Sequence, residues 1–125
     1  MHQLKKGMTN VEKITVKKDQ TASFYESGSL DVFATPAMIA LIENCALNCV
    51  ENYLEEGYST VGTKVDVRHL KATKLGKNVE AHVELIVIDD KKLTFKVKAY
   101  DEERMIGEGI HKRYIINKKD FLNNL

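Results

Sequence analysis

Excess charge of one sign, long apolar runs and cysteine are all scarce in this chain. Lysine plus arginine number 19 against 18 aspartates and glutamates, scattered along 125 residues. No basic stripe for phosphates is present, so a nucleic-acid partner is not expected. The longest uninterrupted apolar run, Ala37 to Ile42, is far short of the roughly 20 residues that cross a bilayer, and no membrane partner is expected. The opening Met1-His2-Gln3-Leu4-Lys5-Lys6-Gly7 lacks the apolar core of a secretory signal, which predicts a cytoplasmic location. Cys45 and Cys49 lie four apart on a predicted helix, pointing along one face rather than toward each other, so they read as reduced core thiols. A metal site would need two further ligands, and the neighbouring sequence supplies no second pair at ligand spacing.

With 43% apolar and 30% charged residues, a chain of this length suits one domain, residues 1–125, around one continuous core. A short edge strand is predicted from about Val11 to Lys18, followed by an aperiodic loop from Asp19 to Ala34. Thr35-Pro36 predicts a helix start, with the threonine hydroxyl capping and proline at the first helical position. The helix is expected to run to about Glu56, where Gly57 supplies a left-handed stop. From Ala37 to Cys49 it is apolar almost all the way round, as in a buried central helix. Four strand patterns follow, near Thr60 to Leu70, Val79 to Val87, Leu93 to Ala99 and Met105 to Ile116. In the first of these Thr63, Val65, Val67 and His69 should share a face. In the last, Gly107 and Gly109 imply a close approach to the backbone. His111 and Arg113 beside them fit a pocket lining or a partly exposed edge strand. A helix this apolar needs a sheet curled around it, and the surface left over invites a second copy of the chain.

Three residues stand out chemically. Glu43 interrupts the most apolar stretch, where a carboxylate needs a ligand site, solvent or an opposing cation. Thr35 is explained by capping, and His69 on an apolar strand face by a hydrogen-bonded core position. Together they form a nucleophile, base and carboxylate set. Eight helical residues separate Thr35 from Glu43, about 12 Å of rise, so either an imidazole bridges them or a partner subunit supplies one of the three. The amides of Ala37 and Met38 at the helix start would be free to hold an oxyanion, and Gly62 would bring another amide close to a substrate.

These residues resemble the fluoroacetyl-CoA thioesterase-like group of the hotdog superfamily. The resemblance rests on Val32-Phe33-Ala34-Thr35-Pro36, on Glu43 eight residues after the threonine and on His69 a further 26 on, within Val61-Gly62-Thr63-Lys64-Val65-Asp66-Val67-Arg68-His69. It implies an α+β hotdog fold, a five-stranded antiparallel sheet wrapped around one long helix. It also implies a homodimer, with pairing into a tetramer left open, and cleavage of a small acyl-CoA without metal or cofactor. Thr35 would be nucleophile or water-positioner, and His69 the base. Glu43 would orient the histidine or attack the carbonyl. The loop Glu26 to Asp31 has no aromatic lid, so fluoroacetyl selectivity is not carried over. Lys71, Lys74 and Lys77 fit either coenzyme A phosphates or a solvated turn. Two alternatives stay open: a non-catalytic hotdog module binding an acyl-thioester or a protein, and a hydratase acting on an enoyl-thioester.

Overall fold

A computed structural model of the chain describes residues 3–125. Strand β1 (Thr9–Thr15) leads through a 3-10 turn into the four-residue helix α1 (Ala22–Tyr25), and the long helix α2 spans Thr35–Val50. Strands β2 (Tyr58–His69), β3 (Asn78–Asp89), β4 (Lys92–Asp101) and β5 (Met105–Asn117) follow, with a short helix α3 (Lys118–Asn123) at the end. All neighbours pair antiparallel in the order β1-β3-β4-β5-β2, so β1 and β2 are the edges and β5 is interior.

The period-two patterns of β3 and β4 place Val79, Ala81, Val83 and Leu85 and, opposite them, Leu93, Phe95, Val97 and Ala99 in the core. Helix α2 lies on that face. Its buried positions come in adjacent pairs, Ala37-Met38, Leu41-Ile42, Cys45-Ala46 and Cys49-Val50, one pair per turn. Each large apolar side chain buried there contributes about 1.5–3 kcal/mol. The opposite face of α2 is only half covered: Ile39, Glu43 and Leu47 are half-buried, and Ala40, Asn44 and Asn48 are exposed.

Several boundaries differ from expectation. Strand β1 ends at Thr15, and Val16 turns inward as a core residue. The helix ends at Val50 rather than Glu56, giving way to a 3-10 turn at Glu51–Tyr53. The Glu51 carboxylate there accepts the Ser59 hydroxyl at 2.8 Å, and the Tyr53 carbonyl accepts the Gln3 amide. Gly57 is left-handed (φ 89°), but it turns the chain into β2 rather than capping the helix. Within the expected loop, Thr21 caps α1 by accepting the Phe24 amide.

The register of β2 matters most for function. Thr63 is a bulge, paired with nothing between Gly62↔Arg113 and Lys64↔Lys112. An extra residue reverses which side chains face inward. Tyr58, Thr60 and Gly62 before the bulge, and Val65, Val67 and His69 after it, therefore share the face of Arg113, His111, Gly109 and Gly107. Val65, Val67 and His69 share a face as expected, and Thr63 stands outside the register.

Candidate active site

The start of α2 and the end of β2 meet beside α1. Thr35 Oγ1 lies 2.8 Å from His69 Nδ1. Thr35 is therefore no cap: Ala34 occupies the cap position, with Pro36 in the first turn, and the threonine hydroxyl is directed across to the sheet. Phe33 packs its ring edge-on to His69 at a centroid distance of 6.4 Å. Burial pushes the His69 imidazolium pKa below 6.5, partly offset by the Lys71 backbone, and Nε2 is buried without a hydrogen-bond partner. A neutral ring with its hydrogen on Nε2 leaves Nδ1 free to accept the Thr35 proton. The pair opens on a cavity of about 270 Å³ lined by residues including Ala22, Ser27, Val32, Lys71 and Ala72.

Of the two helix-start amides expected to be free, Met38 donates to the Ala34 carbonyl at 3.0 Å, because the cap residue's carbonyl already accepts the first helical bond. Ala37 remains as the candidate donor. The Met38 side chain is wholly buried, and its sulfur stands where a Cβ on Gly107 would lie, one of the close approaches that the strand glycines imply.

Glu43 does not join Thr35 and His69 within the chain. Its carboxylate stands against Gly62, and a Cβ there would lie 2.6 Å from Glu43 Oε2. It also lies 3.9 Å from Arg113 Nη1, an ion pair without a hydrogen bond, half exposed on the carboxylate side. The opposing cation that Glu43 calls for is thus Arg113. An imidazole bridging Thr35 and Glu43 in one protomer is ruled out: discounting the Thr63 bulge, Gly62 and His69 are six ladder steps apart on β2, about 20 Å at roughly 3.3 Å per residue.

Behind Glu43 lies a polar cluster that sequence reading left outside the catalytic set. His111 is fully buried and Arg113 is 7% exposed. His111 Nδ1 donates to the Lys64 carbonyl at 2.8 Å, so Nε2 accepts from Arg113 Nη1 at 3.1 Å. Arg113 Nε donates to Thr60 Oγ1 at 2.7 Å, and Nη2 donates to the Thr60 carbonyl at 2.9 Å. Burial and, more weakly, the Arg113 charge lower the His111 pKa against the pull of the Lys64 carbonyl and Glu43. The edge-strand explanation for these residues fails because β5 lies between β4 and β2. The available signal was their alternation with Gly107 and Gly109 on one face.

Lys74 and Lys77 line a neighbouring cavity that also contains Asp101, Glu102 and Glu103, so its charge is mixed. Loop residues 26–31 carry no aromatic ring. Immediately before them on α1, Phe24 and Tyr25 are exposed and pack edge-on to each other. Cys45 and Cys49 are buried free thiols, and burial pushes the Cys45 pKa up to about 12. Among the described residues no helix is long and apolar enough to cross a membrane.

The family model for fluoroacetyl-CoA-specific thioesterases matches residues 16–119. A fluoroacetyl-CoA thioesterase from Streptantibioticus cattleyicolor is 35% identical over 91 residues, 73% of this chain. The match spans 66% of that relative, just under two thirds of its length. A solved fluoroacetyl-CoA thioesterase structure superposes with a TM-score of 0.91 at 28% identity, covering 97% of this chain and 94% of the other. A thioesterase superfamily member from Thermus thermophilus gives a TM-score of 0.91 at 26% identity, covering 99% and 92%. The sheet curled on one long helix is the hotdog fold.

Proposed function

The chain belongs to the fluoroacetyl-CoA-specific thioesterase family, and from that membership we propose that it hydrolyses small acyl-coenzyme A thioesters as a cytoplasmic homodimer. The observation that carries the reading is the 2.8 Å contact of Thr35 Oγ1 with His69 Nδ1 at the mouth of a cavity. A hydroxyl on a neutral imidazole is the arrangement that acyl transfer needs. Buried reduced thiols suit a reducing compartment.

What one chain leaves undone supports the dimer. Strand β2 is an edge whose residues Gly62 to Asp66 are exposed, and a bare edge is a template for another strand. Antiparallel pairing with a second copy about a two-fold near Val65 and Asp66 turns the His69 end of one β2 toward the Gly62 end of the other. The bulge at Thr63 keeps both ends facing the helices. Each site then combines Thr35, His69 and the Ala37 amide with the partner's Glu43 and the partner's Gly62. The half-covered outer face of α2 is also free to be buried in this assembly.

In this site His69 accepts a proton by way of the Thr35 hydroxyl, and Thr35 serves as nucleophile or as the holder of the attacking water. The partner's Glu43 orients the imidazole or the water. The attacking oxygen adds to the thioester carbonyl while the Ala37 amide and the positive end of the helix stabilise the oxyanion. Collapse breaks the carbon–sulfur bond, and His69 returns the proton to the leaving thiolate. Where water attacks, the free acid forms in that step. Where Thr35 attacks, collapse leaves an acyl-threonine ester that a water, its proton taken by His69, then hydrolyses. On either route one water is consumed, and a free acid and coenzyme A are released.

The test is free-thiol release from a panel of short, branched, aromatic and long acyl-coenzyme A esters by the native chain, Thr35→Ala, Glu43→Ala and His69→Ala. Turnover by the native chain that collapses in all three folded variants is expected. No thiol release from any ester would overturn the hydrolase reading. Mixing Glu43→Ala with His69→Ala chains should restore one intact site per mixed dimer, which a site built within one protomer cannot do.

A further inference from the structure

Residues 70–78, between β2 and β3, are exposed except for Thr73, which is 2% exposed. In the same stretch Leu70 and Leu75 are 38% and 45% exposed. Apolar burial alone would take the leucines inward and leave the threonine in water. Hydrogen bonding sets this conformation instead. The Thr73 hydroxyl donates to Asp101 Oδ2 at 2.8 Å, and Asp101 Oδ1 accepts the amides of Glu103 and Arg104 at 2.9 and 3.0 Å in the turn between β4 and β5. Two more bonds tie the segment to that hairpin: the Leu70 amide donates to the Ile106 carbonyl at 2.7 Å, and Arg104 donates to the Ala72 carbonyl at 3.4 Å. Burial pushes the Asp101 carboxyl up, but the Glu103 amide, the Thr73 hydroxyl and Arg104 outweigh it and hold the carboxyl below its usual range. Asp101 is therefore a charged, strong acceptor for Thr73 at neutral pH.

Thr73, so fixed to the end of β4, offers its carbonyl to the Phe33 amide at 2.9 Å, and the adjoining Lys74 pairs with Val32 as an antiparallel bridge. Phe33 stands two residues before Thr35, and Thr73 four after His69. The contact of Thr35 with His69 therefore closes a ring made of residues 33–35, residues 69–73 and two hydrogen bonds. The cavity beside Thr35 and His69 is lined as far as Ala72 and not by Thr73 or Asp101. Resting on the hydrolase reading above, we infer that Thr73 and Asp101 are positioning residues: the bond between them anchors the carbonyl that holds Phe33 and so sets the approach of Thr35 Oγ1 to His69 Nδ1. Neither meets the substrate. A misplacement of about 1 Å at such a pair can cost on the order of 100-fold in rate.

The test compares the native chain with Thr73→Val, which keeps the shape and loses the hydroxyl, and Thr73→Ser, which keeps the hydroxyl. Asp101→Ser, whose single oxygen can still cap the turn, and the double variant Thr73→Val/Asp101→Ser complete a cycle. Ile115→Ala, a core truncation toward the far end of β5, is the control for lost stability alone. Each is measured for kcat and KM in thiol release from acetyl-coenzyme A, and for the 15N shift of His69 Nδ1, which responds to an accepted hydrogen bond. Thr35→Ala supplies the shift of the unbonded ring. In Thr73→Val kcat should fall at least about tenfold with KM within about twofold, and the Nδ1 signal should move toward its position in Thr35→Ala. Thr73→Ser should restore most of both. Asp101→Ser should match Thr73→Val, and the double variant should be no worse than either, since the two act through one bond. Ile115→Ala should lose stability and keep the native kcat and Nδ1 signal. A folded Thr73→Val with native kcat and Nδ1 signal, a rise in KM alone, or losses that add in the double variant would overturn the inference. If Thr73→Val does not fold, Asp101→Ser carries the same two readouts. A native chain that cleaves no ester sinks the hydrolase reading instead, and the Nδ1 signals still decide whether Thr73 and Asp101 set the Thr35–His69 contact.

Discussion

Thr35 and His69 hydrogen-bond at 2.8 Å although 34 residues separate them. The contact exists because Ala34, not Thr35, takes the cap position, which leaves the threonine hydroxyl free to cross to the end of β2. Thr35→Ala should therefore change stability by less than about 0.5 kcal/mol, as for an exposed side chain outside any cap. Thiol release should fall by about 100-fold or more. Thr35→Ser, which keeps the hydroxyl, should retain a larger part of the activity. Thermal melts and kcat for the two variants check this, and a large loss of stability in Thr35→Ala would return the residue to a purely structural role.

In the proposed mechanism His69 acts as the base, which requires the neutral ring, and burial lowers its pKa from 6.5. The acid limb of kcat/KM should accordingly fall away below pH 6.5, leaving the enzyme fully active at neutrality. A limb centred above 6.5 would mean that another group controls the rate.

Stability should show the same sign. His69 and His111 are both lowered from 6.5 by burial, so the unfolded chain binds more protons than the folded one below that pH. Their contribution is fully present above pH 6.5 and is lost as the pH falls toward the folded values. The groups facing His111 are the Lys64 carbonyl, Arg113, Glu43 and the stacked Phe95 ring. Urea midpoints should drop between about pH 7.5 and about pH 5.5, and His111→Gln, though less stable throughout, should show a smaller drop. An equal drop in native chain and variant would remove His111 from the account.

Gly62 and Gly109 predict opposite outcomes for one added methyl group. At Gly62 the Cβ meets the end of the Glu43 side chain, which can swing aside, and more loosely the His111 ring at 3.3 Å and Arg113 Nη1 at 3.4 Å, so Gly62→Ala should fold with a smaller loss than Gly109→Ala and impair activity. At Gly109 it meets the Asp66 carbonyl and, at 2.7 Å, the Val67 Cα, which are backbone and cannot yield without parting β2 from β5. Gly109→Ala should cost about 2 kcal/mol or more. Denaturation midpoints and thiol release for the two variants separate the cases.

Cys45 and Cys49 should resist a soluble disulfide reagent until the chain opens. Burial raises both pKa values, that of Cys45 to about 12, so little thiolate is available at neutrality. Labelling rates that follow denaturant concentration are expected. Rapid labelling of the folded chain would show that one thiol is reachable from solvent.

Much of this architecture was legible because it is local. Alternation in β3 and β4, the apolar length of α2 and the Thr35-Pro36 start are patterns within single elements, and the spacing singled out Thr35 and His69, which the fold brings into contact. Glu43 was noticed for a sound reason, since a carboxylate in an apolar stretch requires a partner, but the partner lay 70 residues away at Arg113. His111 and Arg113 were visible on the glycine face of β5, but a pocket lining and an edge strand stayed open for them because neighbours in a sheet are not neighbours in sequence.

By itself the sequence determined which segments become helix and strand, since periodicity and chain stiffness act over a few residues. It also determined which residue types could do chemistry. Tertiary structure alone decided that β5 is interior, that Thr63 bulges so Gly62 and His69 face the same side, and that Glu43 lies apart from the histidine of its own chain. Each of these depends on pairing between distant strands, and a shift of one residue in that pairing turns every following side chain to the other face.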